Sequence, residues 1–172
     1  RRGYGAQFWF TARLSVAVSD TEHMDSMPTE LQSRRLLLVE SHRPLASFIV
    51  HHCQQWGMTV DVVDSIADAQ AKLEFSINAG HAYDLIGIDQ MIQSIPGIEF
   101  VRWLRSAPST KPIPVFFISG SDPYSDISVL TGLNVLHVVR KPITAAALAK
   151  QLVSMTGQHI APTIITDENA LD

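Results

Sequence analysis

Apolar residues in this chain fall into short blocks, separated by longer stretches whose apolar positions return every three to four residues. Residues 36–39 read LLLV, 85–88 LIGI, 115–118 VFFI and 135–139 VLHVV, and 58–63 read MTVDVV. Blocks of this length, bounded by polar or turn residues, predict five β-strands. The intervening stretches predict helices. In residues 44–56, Leu45, Phe48, Ile49, His52 and Trp56 recur at helix spacing, Pro44 suits a first turn, and Gly57 suits the stop. Ser65 suits the cap of a helix whose Ile66, Ala69, Leu73 and Ile77 form one face, with Gly80 after its end. Residues 98–104 and the Ala/Leu-rich residues 144–155 predict two more, and a weakly patterned helix is expected near 126–130.

Five strands alternating with five helices, most strands apolar on both faces, predict a parallel sheet covered on both sides. In open sheets of this kind functional groups gather beyond the carboxyl ends of the strands. Glu40-Ser41 stand after the first strand, Asp89 after the third, Ser119-Gly120 after the fourth and Lys141-Pro142 after the fifth; Asp64, after the second, is the weakest claimant. The stretch YDLIGIDQM is the most telling. A strand buried on both faces should not end on a carboxylate unless something beyond the sheet uses it.

Composition narrows the classes. The 172 residues are 46% hydrophobic and 17% charged, enough for one domain with a full core plus tails. No apolar run approaches the roughly 18 residues that suggest a membrane span, and no signal-peptide pattern follows Arg1-Arg2. The single Cys53 excludes an internal disulfide and suits a reducing, cytoplasmic setting. A net charge of −4 without a basic stripe argues against a nucleic-acid surface. Residues 19–34 and 158–172 are polar and read as linkers, the first as a linker or ragged helix. The chain opens on Arg rather than Met and reads as a piece of something longer. His51-His52-Cys53 tempts a metal reading, but adjacent helical residues point to different faces and cannot converge on one ion by themselves.

A carboxylate, a second acid, a hydroxyl and a Lys at separate strand ends suit phosphoryl transfer to a carboxylate. The carboxylate attacks phosphorus, while a hard cation and an ammonium neutralise the phosphoryl oxygens. Here the sequence resembles a known family. Residues 35–157 look like a receiver domain of two-component signalling, which implies a flavodoxin-like α/β fold with five parallel strands in the order 2-1-3-4-5. The resemblance makes Asp89 the phosphoacceptor, with Gly97 at the family's spacing behind it. Ser119-Gly120 take the place of the hydroxyl-bearing pair, Lys141-Pro142-Ile143 that of the Lys-Pro motif, and Glu40-Ser41 that of the acidic pair. It implies Mg²⁺ held by Glu40, Asp89 and the backbone carbonyl of Met91.

Three positions depart from the family. Ser41 replaces the second acid, Gln93 stands where a Pro is usual, and Val138 stands where an aromatic switch residue is usual. The expectation is a weakly metallated site, where Mg²⁺ binds poorly or not at all. The alternative is a phosphorylation-independent module that docks on another protein. Residues 1–18 carry a second resemblance. The run GYGAQFWFTARL (residues 3–14) is similar to the closing strand of a histidine-kinase ATP-binding domain, and with only that tail present no ATP site is expected. A kinase end, a linker and a receiver is the layout of a hybrid sensor kinase, and is similar to the RetS class. Expected partners are a histidine kinase core, a His-containing phosphotransfer domain or another sensor kinase, with no nucleic acid and no membrane contact by these residues. Two competitors fit less well. A flavodoxin-type flavin module needs a Ser/Thr/Gly-rich loop where Glu40 would repel phosphate. A DNA-binding regulator needs more than residues 158–172 after the receiver.

Overall fold

The computed structural model describes residues 8–13, 28–110, 112–120, 131–133, 135 and 137–156. Strands β1 (Arg35–Val39), β2 (Thr59–Val63), β3 (Leu85–Asp89), β4 (Val115–Ser119) and β5 (His137–Arg140) alternate with helices α1 (Arg43–Gln55), α2 (Ile66–Asn78), α3 (Gly97–Ser106) and α4 (Ala145–Thr156). All five strands are parallel, in the order β2-β1-β3-β4-β5. This is the expected doubly wound, flavodoxin-like receiver topology.

Alternation along the strands builds two cores. Leu36 and Leu38 of β1 face one side, with Phe116 and Ile118 of β4, against Ala46, Ile49 and Cys53 of α1 and Leu148, Leu152 and Met155 of α4. Leu37 and Val39 face the other side, with Val115 and Phe117, against Ala69 and Leu73 of α2 and Phe100, Val101 and Leu104 of α3. Both faces of the central strands are therefore sealed, which is why β3 and β4 are buried throughout. β2 is an edge strand, and none of its residues is fully buried. Gly87 gives up its side chain to this packing. A Cβ there would meet Phe116 Cζ at 2.4 Å, so the Phe ring occupies the space directly over the β3 backbone.

The predicted caps are present where sequence placed them. Ser65 Oγ accepts from the Asp68 N–H at 3.1 Å, and Gly57 and Gly80 follow α1 and α2 at φ +78° and +73°. Three differences appear. The fifth strand spans His137–Arg140 rather than 135–139, with Val135 buried but outside it. The helix expected at 126–130 lies outside the described residues, next to helical Thr131 and Gly132. Within the stretch read as a linker, Thr29–Leu31 form a short 3₁₀ turn, and Leu31 is wholly buried in the first core. The packed unit thus reaches back to Pro28. One Leu among polar neighbours shows no period, so sequence pattern alone does not reveal it.

Residues 8–13, inside the stretch similar to a kinase strand, have no regular structure, and Phe8, Trp9 and Phe10 are exposed. Among the described residues, no helix is long and apolar enough to cross a membrane. The His-Cys run behaves as packing. Cys53 is buried, and burial pushes its thiol up to about 12. His52 stacks on Trp56 and meets Phe48 edge-to-face, and His51 is exposed.

Candidate functional site

The parallel topology delivers the carboxyl ends of β1, β3, β4 and β5 to one edge of the domain. Glu40 follows β1 directly, and its N–H donates to Val63 O at 3.0 Å, which continues the pairing with β2. Its carboxylate is wholly buried. Oε1 accepts the His42 N–H at 2.7 Å. Oε2 is buried without a hydrogen-bond partner, 3.8 Å from Lys141 Nζ. Burial raises the Glu40 pKa above the ordinary carboxylate value. The His42 N–H opposes the rise, the Asp89 charge adds to it, and Lys141 opposes it.

Asp89 is the last residue of β3 and pairs in register with Ile118. Its side chain is 13% exposed, and Lys141 Nζ donates to its Oδ2 at 2.6 Å. The Lys141 N–H donates to Ser119 O at 2.8 Å, which carries the β4–β5 pairing past the last strand residues, and the Lys141–Pro142 peptide is cis. One ammonium thus lies against two acidic side chains from different strands. Ser119 Oγ donates to Gln90 Oε1 at 2.8 Å.

The loop after β3 is shaped by sequence in two places. Met91–Ile92 and Ile95–Pro96 form a small antiparallel hairpin, turned by Gln93 and Ser94 at φ +46° and +71°. Proline, locked near φ −65°, cannot occupy position 93 of such a turn, which gives the departure at Gln93 a structural basis. Behind the hairpin, the Gly97 N–H donates to Gln90 O at 2.8 Å, and a Cβ on Gly97 would lie 2.3 Å from Asp89 O. Only glycine allows α3 to start this close to the acidic strand end.

Of the residues singled out from sequence, Glu40, Asp89 and Lys141 are brought into direct contact or near contact, and Ser119 joins through Gln90 and the Lys141 backbone. Ser41 and Asp64 are exposed, and Met91 is 49% exposed. Val138 packs half-buried against the second core. Among the described residues no group of three or more His, Cys, Asp or Glu side chains is placed to hold a metal. Gln90 was not singled out from sequence. The only cue was its position, a polar residue directly after a buried acidic strand end. Arg105 was missed as well: it donates to Leu133 O at 2.9 Å and Ile113 O at 3.0 Å, and so ties α3 to the segments before β4 and β5.

Residues 36–153 match the family model of the response regulator receiver domain. The chain belongs to that family. This receiver is 30% identical, over 116 residues, to the alkaline phosphatase synthesis transcriptional regulatory protein SphR of Synechococcus elongatus. The match takes in 61% of this chain and 43% of SphR, so the chain spans under half the length of that relative. Solved structures share the receiver fold. The receiver domain of a signal transduction histidine kinase from Syntrophus aciditrophicus superposes with a TM-score of 0.63 at 20% identity, covering 81% of this chain and 98% of that one. The chemotaxis response regulator CheY4 of Vibrio cholerae gives 0.62 at 21% identity, covering 72% and 99%. The receiver domain of the sensor histidine kinase PA1611 from Pseudomonas aeruginosa gives 0.63 at 20% identity, covering 73% and 98%, and that protein holds a magnesium ion in its active-site cleft. Family membership sets aside the flavin-module reading.

Proposed function

We propose that this receiver accepts a phosphoryl group on Asp89 from a phosphohistidine donor, at a site with a reduced charge for binding cations. The observation that carries the reading is the Lys141 ammonium, 2.6 Å from Asp89 and 3.8 Å from the buried, unpartnered Glu40 Oε2. An Asp89 carboxylate oxygen forms the new O–P bond as the N–P bond of the donor imidazole breaks, and the imidazole nitrogen then takes a proton from solvent. Lys141 is placed to leave its ion pair and neutralise a phosphoryl oxygen, and Ser119 supplies a hydroxyl to another.

The donor set fits Mg²⁺ with one ligand fewer than usual. Glu40 Oε2 is a buried oxygen lacking a hydrogen bond, Asp89 is beside it, and the Met91 carbonyl is the third candidate. When bound, the ion supplies positive charge against the phosphoryl oxygens. Mg²⁺ sites commonly use one or two carboxylates and keep several waters, so the loss of an acid at Ser41 weakens the site without abolishing the donor set.

The wider context is a hybrid sensor histidine kinase, with the RetS class as the narrower reading. It is supported by the similarity of residues 3–14 to the last strand of a kinase ATP-binding domain. Residues 1–18 then close that domain, 19–34 lead into a receiver of 35–157 against which Leu31 packs, and the setting is cytoplasmic. The phosphoryl partners are a histidine kinase core or a His-containing phosphotransfer domain. A second reading, a docking module that regulates another sensor kinase without phosphorylation, draws on Ser41 and Val138, which remove an acid and the aromatic switch.

Phosphate-affinity gels after incubation with a small-molecule phosphodonor and Mg²⁺ test the proposal. Slow modification of the chain and none of Asp89→Asn is the expected result. Rapid stoichiometric modification at ordinary millimolar Mg²⁺ overturns the weakened cation site, and modification of Asp89→Asn overturns the assignment of Asp89. No modification under any metal condition favours the docking reading.

A further inference from the structure

We infer that Gln90 is a positioning residue that holds the Ser119 hydroxyl proton in a hydrogen bond which a phosphoryl group on Asp89 must break. The inference rests on the proposed phosphoacceptor role of Asp89. A hydroxyl carries a single O–H donor. In this structure it is given to Gln90 Oε1 at 2.8 Å. A phosphoryl oxygen on Asp89 that takes this proton does so in competition with Gln90.

The backbone makes Gln90 a fixed post for this bond. Its N–H donates to Ile118 O at 2.9 Å, and its carbonyl accepts from the Gly97 N–H at 2.8 Å. The main chain is thereby held on both sides, by β4 and by the start of α3. Gln90 also shares a peptide bond with Asp89, so the acceptor and the modified residue move together. Ser119 is the responsive partner. Its carbonyl accepts from the Lys141 N–H at 2.8 Å, so a change at Ser119 is transmitted to the residue whose ammonium meets Asp89. Gly120 follows, and among the described residues a Cβ there would meet Lys141 Cδ at 3.8 Å, an ordinary van der Waals contact.

The bond is suited to a switch by its size. Both partners are neutral, so it holds the resting arrangement without making it permanent. Val138 offers no ring to swing between two positions. The Ser119 proton, bonded to Gln90 or to the phosphoryl group, supplies two discrete states in its place, and ligand at Asp89 shifts the balance between them.

The test is titration of the 172-residue chain with beryllofluoride, a phosphoryl mimic, in the presence of Mg²⁺, followed by calorimetry and by NMR of the Gln90 side-chain amide. Gln90→Met, near in size but lacking the acceptor, binds beryllofluoride about two- to twelve-fold more tightly, the equivalent of one neutral hydrogen bond of ~0.5–1.5 kcal/mol. In a Ser119→Ala background the same substitution changes nothing. Without any Gln90 variant, the Gln90 side-chain amide resonances shift on beryllofluoride binding and are already displaced in Ser119→Ala. Unchanged or weaker binding by Gln90→Met, an equal gain in the Ser119→Ala background, or a Gln90 amide that ignores Ser119→Ala overturns the latch while leaving Asp89 as phosphoacceptor. Binding by none of the proteins overturns both readings. Binding by Gln90→Met alone supports both.

Discussion

Lys141 reaches Asp89 across 52 residues of chain, with 2.6 Å between Nζ and Oδ2. The pair forms because parallel strands end on the same edge of the sheet, and it leaves Glu40 as a second acid drawing on the same cation at 3.8 Å. Lys141→Met leaves two carboxylates facing each other in a largely buried notch. The expected loss is about 1–2 kcal/mol of stability, smaller than for a fully buried pair because the ammonium is about a third exposed. Adding Asp89→Asn to Lys141→Met recovers most of it. Urea unfolding of the single and double variants at neutral pH checks both statements.

Glu40 makes stability depend on pH in a definite direction. Burial raises its folded-state pKa above the unfolded value, so the folded chain binds the proton more tightly. Its contribution is fully present below the unfolded pKa of 4.5 and is lost as pH rises through the folded pKa. Glu40→Gln removes the charged form. The variant is expected to gain in thermal midpoint over the parent as pH is raised from 4 to 8, the gap levelling above the folded pKa, while its Mg²⁺-dependent binding of beryllofluoride falls at least ten-fold. A gap that narrows with rising pH contradicts the assignment.

Gly97 is a site where one methyl group is disruptive. A Cβ would meet Asp89 O at 2.3 Å and Ile88 Cγ1 at 3.1 Å, and the first of these is backbone that cannot rotate aside. Gly97→Ala is expected to cost about 1–3 kcal/mol, in the range of overpacked cores, and to move Asp89. Thermal unfolding reads the first effect, and backbone NMR shifts at residues 88–90 read the second.

The hairpin turn carries two non-glycine residues in the left-handed region. Asn-Gly suits such a turn, so Gln93→Asn combined with Ser94→Gly is expected to stabilise the domain by about 0.5–1 kcal/mol. Gln93→Pro, which restores the residue usual in the family, is expected to destabilise it, because the ring forbids φ +46°. Equilibrium unfolding of the two variants should move in opposite directions.

Leu31 decides where the folded unit begins. It is wholly buried beside α4, so Leu31→Ala is expected to cost about 2–4 kcal/mol, and a chain starting at residue 35 should be less stable than one starting at residue 28 by a similar amount. Equal unfolding midpoints for the two lengths would show that the 3₁₀ turn is dispensable.

The sequence by itself determined an α/β class with a parallel sheet covered on both faces, and it did so through periodicity; the strand order came from the resemblance to receivers. Runs such as LLLV and VFFI can be buried only if both faces of their strands are covered, and Leu45, Phe48 and Ile49 can share a face only on a helix. It also determined which chemical groups stand at the strand ends, because each follows closely on an apolar run that the pattern marks as a strand. Only the tertiary structure decided the distances that turn those groups into a site. The Lys141–Asp89 contact, the unpartnered oxygen of Glu40 and the Ser119–Gln90 bond join strands far apart in the chain. No local pattern encodes how far a side chain will reach once those strands pair. Leu31 and Gln90 were hidden for the same reason. A single residue has no period, and its partner is set by what the fold brings alongside it.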